Sequence, residues 1–144
     1  MSGRILGLDY GSRTVGAAVT DGLGLTAVSL ETIKREKENH LRHTYRRISE
    51  LITEYGIELI VVGLPVNMDG SEGERAALAR AFASELTKRT GVKTVMQDER
   101  LTTVEAAEIL TLTEKKRSNS KERIDAVAAA IILTDYLNQH KDVS

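Results

Sequence analysis

The 144-residue chain predicts one α/β domain, residues 1–144, built on a mixed five-stranded sheet with helices on its faces. Three observations carry this. The length suits a single domain, since domains commonly run to about 100–150 residues. Short apolar strands alternate with stretches of helical periodicity in the order βββ-α-β-α-β-α-α. No internal repeat and no linker divides the chain. Hydrophobic residues make up 41% and cysteine is absent, so the core forms without disulfides, and a thiolate zinc site or a Cys nucleophile is excluded.

Residues 4–9 (RILGLD) and 15–20 (VGAAVT) predict strands joined by a turn over Tyr10–Thr14 that contains Gly11. The loosely alternating segment from Leu25 to Ile33 predicts a third strand and completes a meander. Between Asn39 and Tyr55, the residues Leu41, Tyr45, Ile48, Ile52 and Tyr55 recur at spacings of three and four. That spacing makes one apolar helix face, which Gly56 ends. Leu59–Val62 (LIVV) is continuously apolar, as expected of a strand covered on both sides. After the loop GLPVNMDG, Ser71 and Glu74 form a capping-box pattern for a helix from about Glu72 to Thr90, stopped by Gly91. Val92–Gln97 predicts the fifth strand. Thr102 and Glu105 repeat the capping pattern for a short helix to about Leu110, and Thr111–Ser120 is a polar, basic connection. Lys121 to about Gln139 predicts the closing helix.

Acidic residues on separate elements are the candidates for chemistry. Asp9 stands at the end of the first strand, where sheet proteins commonly place ligands, although an Asp-x-Gly turn explains it equally well. Asp125 interrupts the otherwise apolar run IDAVAAAIIL, which predicts a helix buried all round. A carboxylate there needs a basic partner such as Lys121, a metal, or a proton. Glu99 follows the fifth strand beside Asp98; adjacent acids at a strand end point to opposite sides, so one faces a site and the other solvent, or both belong to a charged turn. If Asp9, Glu99 and Asp125 converge, their mutual repulsion calls for a cation. Oxygen-only donors favour Mg²⁺ or Mn²⁺ over zinc. Two such ions would suit phosphodiester hydrolysis. His40 and His43 neighbour no acidic motif and are expected at the surface.

The formal charge is −1, from 20 basic and 21 acidic residues, so the chain is no bulk nucleic-acid coat. Two stretches are locally basic: Thr32–Arg47, with Lys34, Arg35, Lys37, Arg42, Arg46 and Arg47, and Glu114–Arg123, with Lys115, Lys116, Arg117, Lys121 and Arg123. They meet phosphates or are solvated surface. Aromatic residues amount to 3%, which argues against a base-stacking platform. No segment resembles a signal peptide or a membrane span, so a cytoplasmic location is expected.

Four segments in this order, LGLDYGSRTVGAAVTD (6–21), VVGLPVNMDGSEGERA (61–76), DERLTTVEAA (98–107) and KERIDAVAAAIIL (121–133), resemble the YqgF/RuvX family of RNase H-like nucleases over nearly the whole chain. The resemblance implies an RNase H-like βββαβαβα core and Mg²⁺-dependent cleavage of nucleic acid. It implies that Asp9, Glu99 and Asp125 are the catalytic, metal-holding acids, with Asp98 the nearby candidate for a fourth carboxylate. Gly11, Arg13 and Gly16 match the family's first loop, Arg13 as a phosphate contact. Gly63, Pro65 and Gly70 match the loop before the second helix, whose amides would also meet a phosphate. Arg100 and Thr102 match the third motif, and Lys121 opens the fourth. Arg13, Arg100, Lys121 and the basic stretch Lys115, Lys116, Arg117 are the expected nucleic-acid contacts.

The family link implies a role in maturing the 5′ end of 16S ribosomal RNA, with branched DNA as the second substrate class. Junction cleavage needs paired sites and a stable dimer; no apolar seam for one is evident, so a monomer or weak homodimer is expected. Two other functions compete. Asp9, Gly11 and Gly16 also resemble the first phosphate loop of the actin and sugar-kinase superfamily, which clamps nucleotide between two domains where this chain supplies one. A non-catalytic RNA- or junction-binding module would leave the acids apart.

Overall fold

The computed structural model describes residues 3–99, 108–109, 112, 115 and 126–140. The first apolar run forms β1 (Arg4–Tyr10), followed by β2 (Thr14–Thr20) and β3 (Ala27–Lys34). Then come α1 (Arg42–Tyr55), β4 (Ile57–Leu64), α2 (Glu74–Thr90), β5 (Lys93–Asp98) and, last among the described elements, α3 (Val127–His140). One sheet holds the strands in the order β3-β2-β1-β4-β5. β2 pairs antiparallel with β1 and β3, while β4 pairs parallel with β1 and β5. The sheet is therefore mixed and five-stranded, as expected. Its parallel half brings the carboxyl ends of β1, β4 and β5 side by side.

Period-two alternation sorts the strand side chains into two layers. Leu6, Leu8, Val15, Ile60 and Val62 meet Tyr45, Ile48 and Leu51 of α1 and Phe82 and Leu86 of α2. On the opposite face Ala18 and Val61 meet Ala129, Ala130, Ile132 and Leu133 of α3. This second interface is close because β1 carries no side chain at its centre. A Cβ on Gly7 would stand 2.9 Å from Leu133 Cβ and 3.1 Å from the Ala129 carbonyl oxygen. α3 is not buried all round, however. Ala128 and Ile131 are half-buried; among the described residues the sheet packs on the side of the helix that carries Ala129, Ala130, Ile132 and Leu133.

The ends of the elements follow from local chemistry. Gly56 and Gly91 end α1 and α2 in the left-handed conformation, φ 63° and 74°, and their N–H groups cap the carbonyls of Ile52 and Thr87. The capping box expected at Ser71 does not form. α2 starts at Glu74 with Gly73 as its N-cap and no side-chain cap bond. Ser71 is engaged elsewhere: its hydroxyl and its N–H both donate to Asp69 Oδ1, at 2.6 and 2.9 Å, and its carbonyl takes the Asn67 N–H at 2.9 Å. The Asp side chain competes for the turn and wins. α1 likewise begins at Arg42, later than the sequence suggests, with no side-chain cap at Leu41. The second capping pattern, Thr102–Glu105, lies outside the described residues. Leu112 and Lys115, within the expected polar connection, are helical and exposed.

Candidate active site

Strand parity decides where the acids face. Leu6 and Leu8 point toward α1 and α2, so Asp9 shares the α3 face with Ile5 and Gly7. Asp9 pairs with Gly16 across the β1–β2 ladder. A Cβ on Gly16 would lie 3.7 Å from Asp9 Cβ and 3.5 Å from Ala126 Cα, so anything larger than a methyl would press on the acid and on the chain entering α3. On β5, Val95 faces α3 and Met96 faces α1 and α2; by alternation Asp98 lies on the Met96 side. Glu99, just past the strand, instead turns over the end of β4. A Cβ on Gly63 would stand 2.9 Å from Glu99 Oε2 and 2.5 Å from Ile132 Cδ1. The bare backbone of Gly63 thus makes room for Glu99 between β1 and β5.

Two half-buried carboxylates from distant parts of the sequence consequently share one face. Burial raises the Asp9 carboxyl above its ordinary range. Glu99 is pushed up to about 7, first by burial and then by the negative charges of Asp9 and Asp98. Both shifts say that the pair resists full ionisation without a compensating cation. The donors are hard oxygens, which suit Mg²⁺ or Mn²⁺ and do not suit soft-ligand metals. Among the described residues no three metal-ligating side chains gather. Asp125 lies outside the described residues; its neighbour Ala126 is fully buried beside Gly16.

The remaining candidates divide clearly. Gly11 closes the β1–β2 turn, its N–H donating to the Thr14 carbonyl at 2.7 Å. Arg13 is exposed at that turn. Pro65 is half-buried, and Gly70 takes φ 91° in an exposed turn whose N–H reaches the Asn67 carbonyl at 2.8 Å. These positions ring the end of the sheet that carries Asp9 and Glu99. Lys115 is exposed on its helical turn. Arg100, Thr102, Lys116, Arg117 and Lys121 lie outside the described residues.

Two residues beside the acids have roles that motif reasoning missed. Arg35, counted within a basic stretch, is 8% exposed. Its guanidinium donates to the Gly11 carbonyl and, at 3.1 Å, to the Glu38 carbonyl, and it lies 4.9 Å from the Tyr10 ring centre. Its place two residues after buried Ile33 continues the inward parity of β3, which is the signal the sequence offers. Gln97 is 4% exposed on the α3 face, level with Gly63, and its Nε2 has no hydrogen-bond partner among the described residues. A lone polar residue at a strand end gave no pattern from which to single it out.

Residues 3–139 match the family model described as RuvX: Holliday junction resolvase. A protein of Lachnospira eligens named "Putative pre-16S rRNA nuclease" is 51% identical over 93% of this chain and 96% of its own. One of the same name from Listeria monocytogenes is 46% identical over 94% and 97%. Among solved structures, Thermus thermophilus RuvC superposes with a TM-score of 0.63, at 16% identity, covering 96% of each chain. The same protein in complex with a Holliday junction substrate gives 0.61 over 94% of each chain. The fold is RNase H-like, the fold those two structures share.

Proposed function

Since the chain belongs to the RuvX family of Holliday junction resolvases, we propose that it is a nuclease that hydrolyses phosphodiester bonds at Asp9 and Glu99, with precursor 16S rRNA as its substrate. One observation carries this: two half-buried carboxylates at the ends of parallel strands are both pushed toward protonation, Glu99 over the bare backbone of Gly63 and Asp9 across the ladder from Gly16, and the charge of Asp9 is felt by Glu99. Asp125 is the third acid of the proposed site, supported by the burial of Ala126 beside Gly16, opposite Asp9. The names of the relatives support the substrate.

Asp9, Glu99 and Asp125 would hold Mg²⁺ or Mn²⁺, which supplies activation of water and neutralisation of the leaving oxygen. The protein's own groups do the rest. Glu99 stays ionised in holding the ion, and the attacking water passes its proton to solvent. The oxygen adds to phosphorus, the P–O3′ bond breaks, the departing O3′ takes a proton from solvent, and the products carry a 5′-phosphate and a 3′-hydroxyl. Arg13 at the β1–β2 turn steadies the neighbouring phosphate. The loop from Pro65 to Gly70 and the amides opening α2 border the same path. Arg100, Lys115, Lys116, Arg117 and Lys121 are the further backbone contacts of this proposal, and binding weakens with salt.

No helix among the described residues is long and apolar enough to cross a membrane; we place the protein in the cytoplasm as a monomer or weak homodimer. Cleavage of branched DNA is the second reading, favoured by the family description and by the RuvC-like fold. Wild type and Asp9→Asn are to be assayed on precursor 16S rRNA and on four-way junctions, with Mg²⁺ and with chelator. The proposal expects metal-dependent trimming of the RNA 5′ end by wild type alone. Equal cleavage by the two proteins overturns it, and cleavage confined to junctions moves the substrate to DNA.

A further inference from the structure

Several cations of the described residues are already engaged. Arg47, Arg75, Arg80 and Arg89 each bond a glutamate, at 2.6 to 2.8 Å, and Arg35 is buried. By contrast Lys34, Lys37, Arg42 and Arg46 are all exposed, and none forms an ion pair among the described residues. They sit together in the connector from β3 to α1 and in the first turns of α1. Of the acids interspersed with them, Glu38 is held by Arg75 at 2.8 Å, which leaves Glu36 as the one carboxylate there without a cation among the described residues. The surface is thus positive by local excess, although the whole chain is almost neutral.

The connector also has a fixed relation to the acids. The Arg35 N–H donates to the Arg13 carbonyl at 2.9 Å, and its guanidinium holds the Gly11 carbonyl. The Tyr10 hydroxyl donates to Glu38 at 3.4 Å. Residues 10, 11 and 13 are the turn that follows Asp9, so the connector is bolted to the strand end bearing the first acid. β3 runs parallel in space to β1, both being antiparallel to β2; Lys34 therefore emerges at the carboxylate end of the sheet. The first turn of α1 carries no acid and no side-chain cap, so its free N–H groups add to the positive field. Asn39, His40, Leu41, Arg42, His43 and Arg46 line an open concavity there.

We propose that the β3–α1 connector and the first turns of α1 form a second backbone-binding surface, which takes the sugar–phosphate chain of a structured nucleic acid beyond the bond being cut. Unpaired cations of this kind contribute affinity by counterion release and without sequence preference. The surface extends the proposed nuclease reading, because it gives the substrate a path from Asp9 past the exposed Arg13 to Arg42 and Arg46. It selects a substrate long enough, or branched enough, to reach both places.

The test measures binding separately from cleavage. In chelator, the affinity of wild type, Arg42→Glu/Arg46→Glu and a charge-matched control, Lys88→Glu/Lys93→Glu, is followed across a salt series by fluorescence anisotropy. The probes are a labelled RNA hairpin with a single-stranded 5′ extension and a short single strand. Lys88 and Lys93 are exposed at the other end of the sheet. The expected result for Arg42→Glu/Arg46→Glu is at least tenfold weaker binding of the hairpin and a log–log salt slope flatter by about 0.7–0.9 for each phosphate no longer neutralised. The short strand and the control change far less. Equal losses in both double variants, or none in either, overturn the surface. Wild type that binds but never cleaves with Mg²⁺ removes the nuclease proposal and leaves this surface standing; normal cleavage with unaltered binding does the reverse.

Discussion

Gly63 shows how much a single missing side chain can decide. A methyl there would crowd Glu99 Oε2 and Ile132 Cδ1, and overfilling of this kind costs about 1–3 kcal/mol. Gly63→Ala is therefore expected to depress cleavage more than it lowers the melting temperature, because Ile132 Cδ1 can turn aside whereas the Glu99 carboxylate must leave its place. Unchanged activity in Gly63→Ala would mean that Glu99 does not need its place over β4. Glu99 itself makes a prediction about pH. The folded protein keeps its proton up to about 7, whereas an ordinary glutamate releases it near 4.5. Between those values the folded state binds more protons than the unfolded chain, so stability falls as pH rises. Metal-free protein should lose more melting temperature between pH 5 and pH 8 than Glu99→Gln does. Parallel curves for the two proteins would contradict the shift.

At the scale of elements, strands and helices were legible where periodicity was strong. The mixed sheet follows from a meander and two strand–helix units, although that β4 joins beside β1 was not in the pattern, and both left-handed glycine stops stand where α1 and α2 end. Boundaries fared worse where side chains compete for the backbone. Ser71 looked like a cap because Glu74 follows it, but nothing in a local pattern says that Asp69 will reach the hydroxyl first. The burial of α3 was overstated because apolar composition does not reveal that, among the described residues, the sheet covers one side of it. Asp9 and Glu99 were visible as acids at strand ends. The reason they can coexist, a glycine on the strand between them, became readable only once β4 was known to lie there. One element-level test concerns the fit of α3. Gly7→Ala would bring a methyl to 2.9 Å from Leu133 Cβ; lifting the helix should cost about 1–3 kcal/mol. Urea denaturation measures it, and a cost near zero would show that α3 adjusts freely.

The whole molecule is polarised from end to end. Acids, the exposed arginine of the β1–β2 turn and the cationic connector gather at one pole. If a divalent ion compensates the acids there, Mg²⁺ should raise the melting temperature of wild type, and more so at pH 8 than at pH 5, because binding to the folded state alone adds stability. Asp9→Asn should lose most of that gain. An equal Mg²⁺ effect in both proteins would place the ion elsewhere. The opposite pole has a different character. The turns holding Gly24, Gly56 and Gly91, all with positive φ, cluster there, and all three glycines are exposed with open space where a Cβ would stand. That pole offers an attachment point: a peptide tag or dye inserted beside Gly24 would tether the molecule to a surface with its reactive end facing outward. Encounters with single nucleic-acid molecules could then be watched without a label obstructing them.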